Sequence, residues 1–164
     1  MKEDIKVGIA DYKISRGPNR IMTLGLGSCI GICIYDRFSV ANGLGGLAHI
    51  MLPDSSQFKN GAKAEKFADL AIPKMVEELQ TAGANIRNMA AKIAGGANMF
   101  QFPDRSLNMD IGGRNTLAVR AVLRQLRIPL LAEDTGGHSG RTLILDLEDR
   151  TVKVVTMGRQ IKIL

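Results

Sequence analysis

The stretch Cys29-Ile30-Gly31-Ile32-Cys33-Ile34-Tyr35-Asp36 carries apolar side chains on both faces of a strand. Ile30, Ile32 and Ile34 point one way, while Cys29, Gly31, Cys33 and Tyr35 point the other, because successive side chains of a strand alternate. A strand with no polar face belongs in the middle of a sheet covered above and below. Covered sheets imply layers. Around this strand, Gly, Pro and Asn cut the chain into further short apolar segments of strand period: Lys6 to Ile14, Arg20 to Leu24, Gly46 to Leu52, Met89 to Ala94, Pro129 to Glu133, Arg141 to Leu147 and Val152 to Met157. Glu148-Asp149-Arg150 between the last two reads as a hairpin turn.

Two segments have helical spacing instead. Phe67, Ala71, Met75 and Leu79 recur at i+4 across Ala62 to Ala82, and Leu117, Ala118, Ala121, Val122 and Leu126 repeat across Arg114 to Leu126. Gly83 ends the first and Pro129 follows the second. Pro73 lies inside the first pattern, where its missing N–H and its ring predict a kink or two abutting helices. The expectation is one mixed, layered α/β (α+β) domain over residues 1–164, with about eight strands and two principal helices.

With 164 residues, 45% of them hydrophobic, the chain can bury a substantial core. Lys and Arg number 22 against 16 Asp and Glu, a net charge of +6, but the basic residues are scattered singly. Aromatics make up 4% and Trp is absent, which argues against a base-stacking surface and against nucleic acid as partner. The positive field favours an acidic partner. No apolar run approaches the roughly 20 residues of a membrane span, and the start Met1-Lys2-Glu3-Asp4-Ile5-Lys6 lacks a signal peptide's apolar stretch. The expectation is a cytoplasmic protein without membrane insertion, whose two cysteines stay reduced.

The residues that could carry chemistry begin at Thr23-Leu24-Gly25-Leu26-Gly27-Ser28-Cys29, followed by His49 in Ala48-His49-Ile50-Met51-Leu52-Pro53. Gly25 and Gly27 let the backbone turn sharply, so Cys29 can be presented at a sheet end beside N–H groups, as a nucleophile beside an oxyanion hole is built. A nearby imidazole can lower a thiol's pKa and carry its proton. Burial in the core is the competing reading of Cys29, and spacing alone leaves both open. Cys33, deeper in the same strand, reads as packing.

A zinc centre of Cys29, Cys33, His49 and His138 is opposed by spacing. Cys-x3-Cys in a strand spans about 13 Å, too far for both sulfurs to reach one ion. Glycine-rich turns are expected at Gly43 to Gly46, Gly95-Gly96, Gly112-Gly113 and Gly136 to Gly140; none matches a nucleotide-binding fingerprint. His138 lies in the last of these, which Asp134 and Arg141 bracket as an expected pair.

In these residues and their order the chain resembles the CheD family, the chemoreceptor glutamine deamidases of bacterial and archaeal chemotaxis. Five blocks carry the resemblance in order: Thr23 to Cys29, Ala48 to Pro53, Lys92 to Phe100, Ile111 to Asn115 and Asp134 to Arg141. It implies a layered α/β sandwich of mixed β-sheets flanked by helices, of cysteine-hydrolase type and similar to deamidating toxin domains. It also implies an activity: hydrolysis of particular glutamines of methyl-accepting chemotaxis receptors to glutamate and ammonia. Cys29 would be the nucleophile, His49 the general base and acid, and Thr23 the residue that orients the imidazole. Backbone donors around Gly27 and Ser28 are the candidates for stabilising the oxyanion, and no metal or other cofactor is required. A second role implied by the resemblance is binding and stimulating a CheC-type response-regulator phosphatase, with Met99, Phe100 and Phe102 as candidate contacts.

Overall fold

The structure, a computed structural model, describes residues 1–38, 43–56, 58, 61–99, 110–158 and 160–164. Among them are ten strands: β1 Asp4–Lys6, β2 Asp11–Arg16, β3 Arg20–Leu26, β4 Ile30–Asp36, β5 Leu44–Ile50, β6 Met89–Gly95, β7 Leu130–Thr135, β8 Arg141–Asp146, β9 Thr151–Thr156 and β10 Gln160–Ile163. Two α-helices join them, α1 Ala68–Thr81 and α2 Ile111–Gln125. The strands form two five-stranded mixed sheets, ordered β1-β3-β8-β9-β10 and β2-β5-β4-β6-β7.

β4 is the central strand of the second sheet, and all seven of its residues are buried. Ile30, Ile32 and Ile34 face a core shared with Ile72, Met75 and Leu79 of α1 and Val119 and Leu123 of α2. Cys33 and Tyr35 face the opposite core, shared with Ile21, Leu143, Leu145 and Val154 of the first sheet. The alternation read from the sequence therefore separates two cores, and the architecture is an α+β stack of helices, sheet and sheet. Each fully buried isoleucine contributes roughly 1.5–3 kcal/mol, so this one strand ties the layers together.

Several expectations are corrected. The helices lie against the second sheet, α1 on β5 and β2 and α2 on β4, β6 and β7. Lys6 to Ile14 is not one strand: Lys6 ends β1, the chain crosses between sheets at Val7–Ala10, where Ala10 adopts φ 57°, and β2 begins only at Asp11. β10 carries no periodic signal, since all four of its residues are exposed at a sheet edge.

The first helix breaks at Phe67 rather than at Pro73. Phe67 is extended and bridges to Leu52, separating a 3-10 turn at Ala64–Lys66 from α1, which runs on through Pro73. Gly45 and Gly46 lie within β5, not in a turn. Gly112 and Gly113 lie in the first turn of α2, capped by the Asp110 carboxylate that accepts from the Gly113 N–H. A Cβ on Gly112 would stand 2.4 Å from the Gly96 carbonyl oxygen, so glycine is what lets α2 start directly on the end of β6. No helix among the described residues is long and apolar enough to cross a membrane.

Candidate active site

β4 and β5 pair antiparallel, with Gly31 opposite His49. Cys29 precedes β4 by one residue and continues the Gly31 face, so it is the diagonal neighbour of His49, about 7–8 Å away in backbone terms. Gly31 has no side chain to stand between them. His49 points into the layer between the sheets, where β3 supplies Thr23, just before a bulge in the β3–β8 register at which Gly25 takes φ 68°. Three sequence segments thus meet in one interior: the strand mouth with Cys29, β5 with His49 and β3 with Thr23.

The hydrogen bonds assign the histidine tautomer. Thr23 Oγ1 lies 2.8 Å from the Val7 carbonyl oxygen and 2.7 Å from His49 Nδ1. A carbonyl only accepts, so the single hydroxyl proton goes to Val7 and the hydroxyl accepts from the Nδ1 N–H. His49 Nε2 is then the unprotonated nitrogen. It is buried and makes no hydrogen bond among the described residues. An unmatched buried acceptor costs about 1–3 kcal/mol, and a base waiting for a proton is a physical reason for one. The Val7–Ala10 crossover clamps the pair from outside, because the Ala10 N–H also donates to the His49 carbonyl at 3.0 Å.

Burial dominates the titration of both groups. It lowers His49 to about 4. It raises the Cys29 thiol, opposed by the residue's own backbone N–H. The resting pair is therefore neutral thiol and neutral imidazole. Burial thus works against the lowered thiol pKa expected from a nearby imidazole.

The carbonyls of the Gly27-Ser28-Cys29 loop all point into the protein. Gly27 O accepts from the Ala97 N–H, Ser28 O from Asn115 Nδ2 and Cys29 O from the Gly96 N–H, each at 2.9 Å. Beside this loop lies a cleft of ≈ 620 Å³ lined by Gly96, Asn98, Arg114, Leu117 and His138 among others. Cys29 and His49 do not line it; the cleft meets their site through Gly96. His138 stands at its rim, with Nδ1 2.9 Å from the Asn98 carbonyl oxygen.

Cys33 is sealed between the sheets, where burial pushes its thiol far up. Asp134 and Arg141 pair at 3.5 Å, and Arg141 also donates to the Gly95 and Gly136 carbonyls, pinning the glycine loop to β6. Met99 is 45% exposed. Phe100 and Phe102 lie outside the described residues. Two partners in this site have no distinct signal in the sequence. The Val7 carbonyl is backbone with no side-chain signal, and Asn115 was noticed only within the Ile111 to Asn115 block.

Comparison with known proteins adds a family. The family model described as "CheD chemotactic sensory transduction" matches residues 51–156, downstream of Thr23, Cys29 and His49. Relatives span nearly the whole chain. A protein of Clostridium acetobutylicum named "Probable chemoreceptor glutamine deamidase CheD" is 55% identical over 98% of this chain and 95% of its own length. Proteins of the same name from Clostridium kluyveri and Clostridium tetani are 52% and 54% identical, over 98% and 95% of this chain and 97% and 93% of their own lengths.

Proposed function

Because the chain belongs to the CheD family of chemotactic sensory transduction proteins, we propose that it is a chemoreceptor glutamine deamidase working through Cys29, His49 and Thr23. The observation that carries the mechanism is the chain from the Val7 carbonyl through Thr23 to His49, which leaves Nε2 unprotonated and, among the described residues, without a hydrogen-bond partner. As the Cys29 sulfur bonds to the glutamine carboxamide carbon, its proton passes to Nε2, and negative charge develops on the carboxamide oxygen. The loop N–H groups around Ser28 and Cys29 receive that oxygen. Collapse of the adduct breaks the C–N bond, Nε2–H protonates the nitrogen, and ammonia leaves a thioester. Water then gives a proton to Nε2 and its oxygen to the carbonyl, and glutamate departs as the thiol is restored. No step calls on a metal or organic cofactor. A layered α+β frame with the cysteine at a strand mouth and the base on the neighbouring strand is the arrangement expected of a cysteine hydrolase.

A net charge of +6 suits an acidic receptor surface in the cytoplasm, where thiols stay reduced. Salt should therefore weaken the encounter, raising KM more than it changes kcat. Ammonia release from a glutamine-bearing chemoreceptor fragment, followed at two ionic strengths, tests the reading; no ammonia from any such fragment contradicts it.

The pH profile tests the neutral pair. Below its pKa, His49 holds a proton on Nε2 and cannot take another from the thiol, so activity falls with acidification. The acid limb of kcat/KM is expected at about pH 4 instead of near 6.5. A limb near 6.5 would show that His49 is not desolvated as described. The same depression makes neutral His49 stabilising above pH 6.5, and about 3 kcal/mol is lost as the pH falls through 4. Unfolding is therefore followed alongside the rate.

A further inference from the structure

Asn115 is buried on α2 with both protons of Nδ2 in use, one on the Ser28 carbonyl at 2.9 Å and one on the Met51 carbonyl at 2.9 Å. Two carbonyls can only accept, so the amide's orientation is settled. Ser28 immediately precedes Cys29 and Met51 lies two residues beyond His49, so one side chain straps together the strand ends that carry the two reacting groups. Its Oδ1 is buried and has no hydrogen-bond partner among the described residues. A leucine would fill similar space with no unpaired oxygen, so packing alone does not account for an amide here.

In a trans peptide the C=O and N–H point in opposite directions. Asn115 draws the Ser28 carbonyl toward α2, which turns the N–H of the same peptide, that of Cys29, away from the helix. That N–H is the backbone donor that opposes the rise of the Cys29 thiol. The neighbouring carbonyls of Gly27 and Cys29 are held by Ala97 and Gly96, so three successive peptide planes are fixed before substrate arrives.

We propose that Asn115 is a positioning residue that aims the Cys29 amide N–H at the oxygen of the attacked carboxamide, preorganising the oxyanion donor without touching substrate. A donor already aimed needs no reorganisation when charge develops, and loss of one such donor typically costs about 10²–10³ in kcat. The inference rests on the deamidase reading.

The test compares the unsubstituted protein with Asn115→Leu, measuring kcat and KM for ammonia release from a receptor fragment and the rate of Cys29 alkylation by iodoacetamide. Alkylation displaces iodide at a saturated carbon and forms no oxyanion. The expected result is kcat about 100-fold lower, KM within about twofold and an alkylation rate within about twofold, in a protein that melts cooperatively. A folded Asn115→Leu variant with kcat intact overturns the proposal. So does a parallel fall of kcat and alkylation, which would mean that Asn115 sets the Cys29 thiol itself. If leucine prevents folding, Asn115→Ala removes both donors without added bulk and is read by the same quantities; failure of both to fold means a purely structural role and also overturns the proposal. No ammonia from the unsubstituted protein contradicts the deamidase reading, and this inference falls with it, whereas normal turnover by the unsubstituted protein and by a folded variant contradicts only the role of Asn115.

Discussion

Replacing Cys29 with alanine is expected to reduce receptor deamidation to background, a loss of at least about 10⁴-fold, in a protein that melts within a few degrees of the original. The activity loss is this large because no second thiol can substitute: Cys33, four residues on, is sealed in the core between the sheets with its thiol pushed far up. The stability change is small because Cys29 is only partly buried at the strand mouth, and removing one sulfur there forfeits little packing. Ammonia release and a thermal melt measure the two halves together. Ammonia at the original rate from the folded Cys29→Ala variant would remove the sulfur from the mechanism.

The second largest effect is expected at His49. His49→Gln keeps a polar side chain of similar reach but cannot accept the thiol proton in the attack or return it to the leaving nitrogen, and a positioned acid–base group contributes about 10²–10⁴. A fall in kcat of about 10³ is expected, with KM nearly unchanged because His49 is buried within the fold. Thr23→Val separates orientation from proton transfer. It preserves shape but leaves the Val7 carbonyl and the imidazole Nδ1 without their shared partner, so the imidazole is free to take the other tautomer. That variant should lose less than His49→Gln and more than tenfold, because the correct tautomer becomes one of two populations in a ring no longer held. Equal activity of Thr23→Val and the unsubstituted protein would show that the hydroxyl does not orient the ring.

Much of this frame was legible in the sequence for one reason: β4 is apolar on both faces, which only a central strand between two cores tolerates, and its two faces sort residue by residue into those cores. Edge elements escaped because their signal is weaker. β10 buries nothing, and β1 with β2 looked like one strand because the crossover at Ala10 is set by a backbone angle that its side chain does not announce. Gly112 and Gly113 looked like a turn because glycine in a helix is disfavoured; here the close approach of Gly96 overrides propensity.

At the site, Cys29 and His49 stood out as chemical types at a strand mouth and on a separate strand, but their adjacency depended on a β4–β5 register that spacing could not supply. Thr23 owed its place to resemblance alone, since one strand threonine resembles any other until the Val7 carbonyl and His49 Nδ1 are seen on either side of it. Asn115 likewise showed only as the end of the Ile111 to Asn115 block, with nothing to mark its partners. Its two acceptors lie 87 and 64 residues away along the chain.

The most direct test is the intact mass of a glutamine-bearing chemoreceptor fragment incubated with the reduced protein in ordinary water and in ¹⁸O-water. Hydrolysis through a Cys29 thioester predicts a gain of about 1 Da per converted glutamine in ordinary water and about 3 Da in ¹⁸O-water, because the oxygen that replaces nitrogen comes from solvent. An unchanged mass in both waters, with the protein folded and its thiol free, would contradict the account.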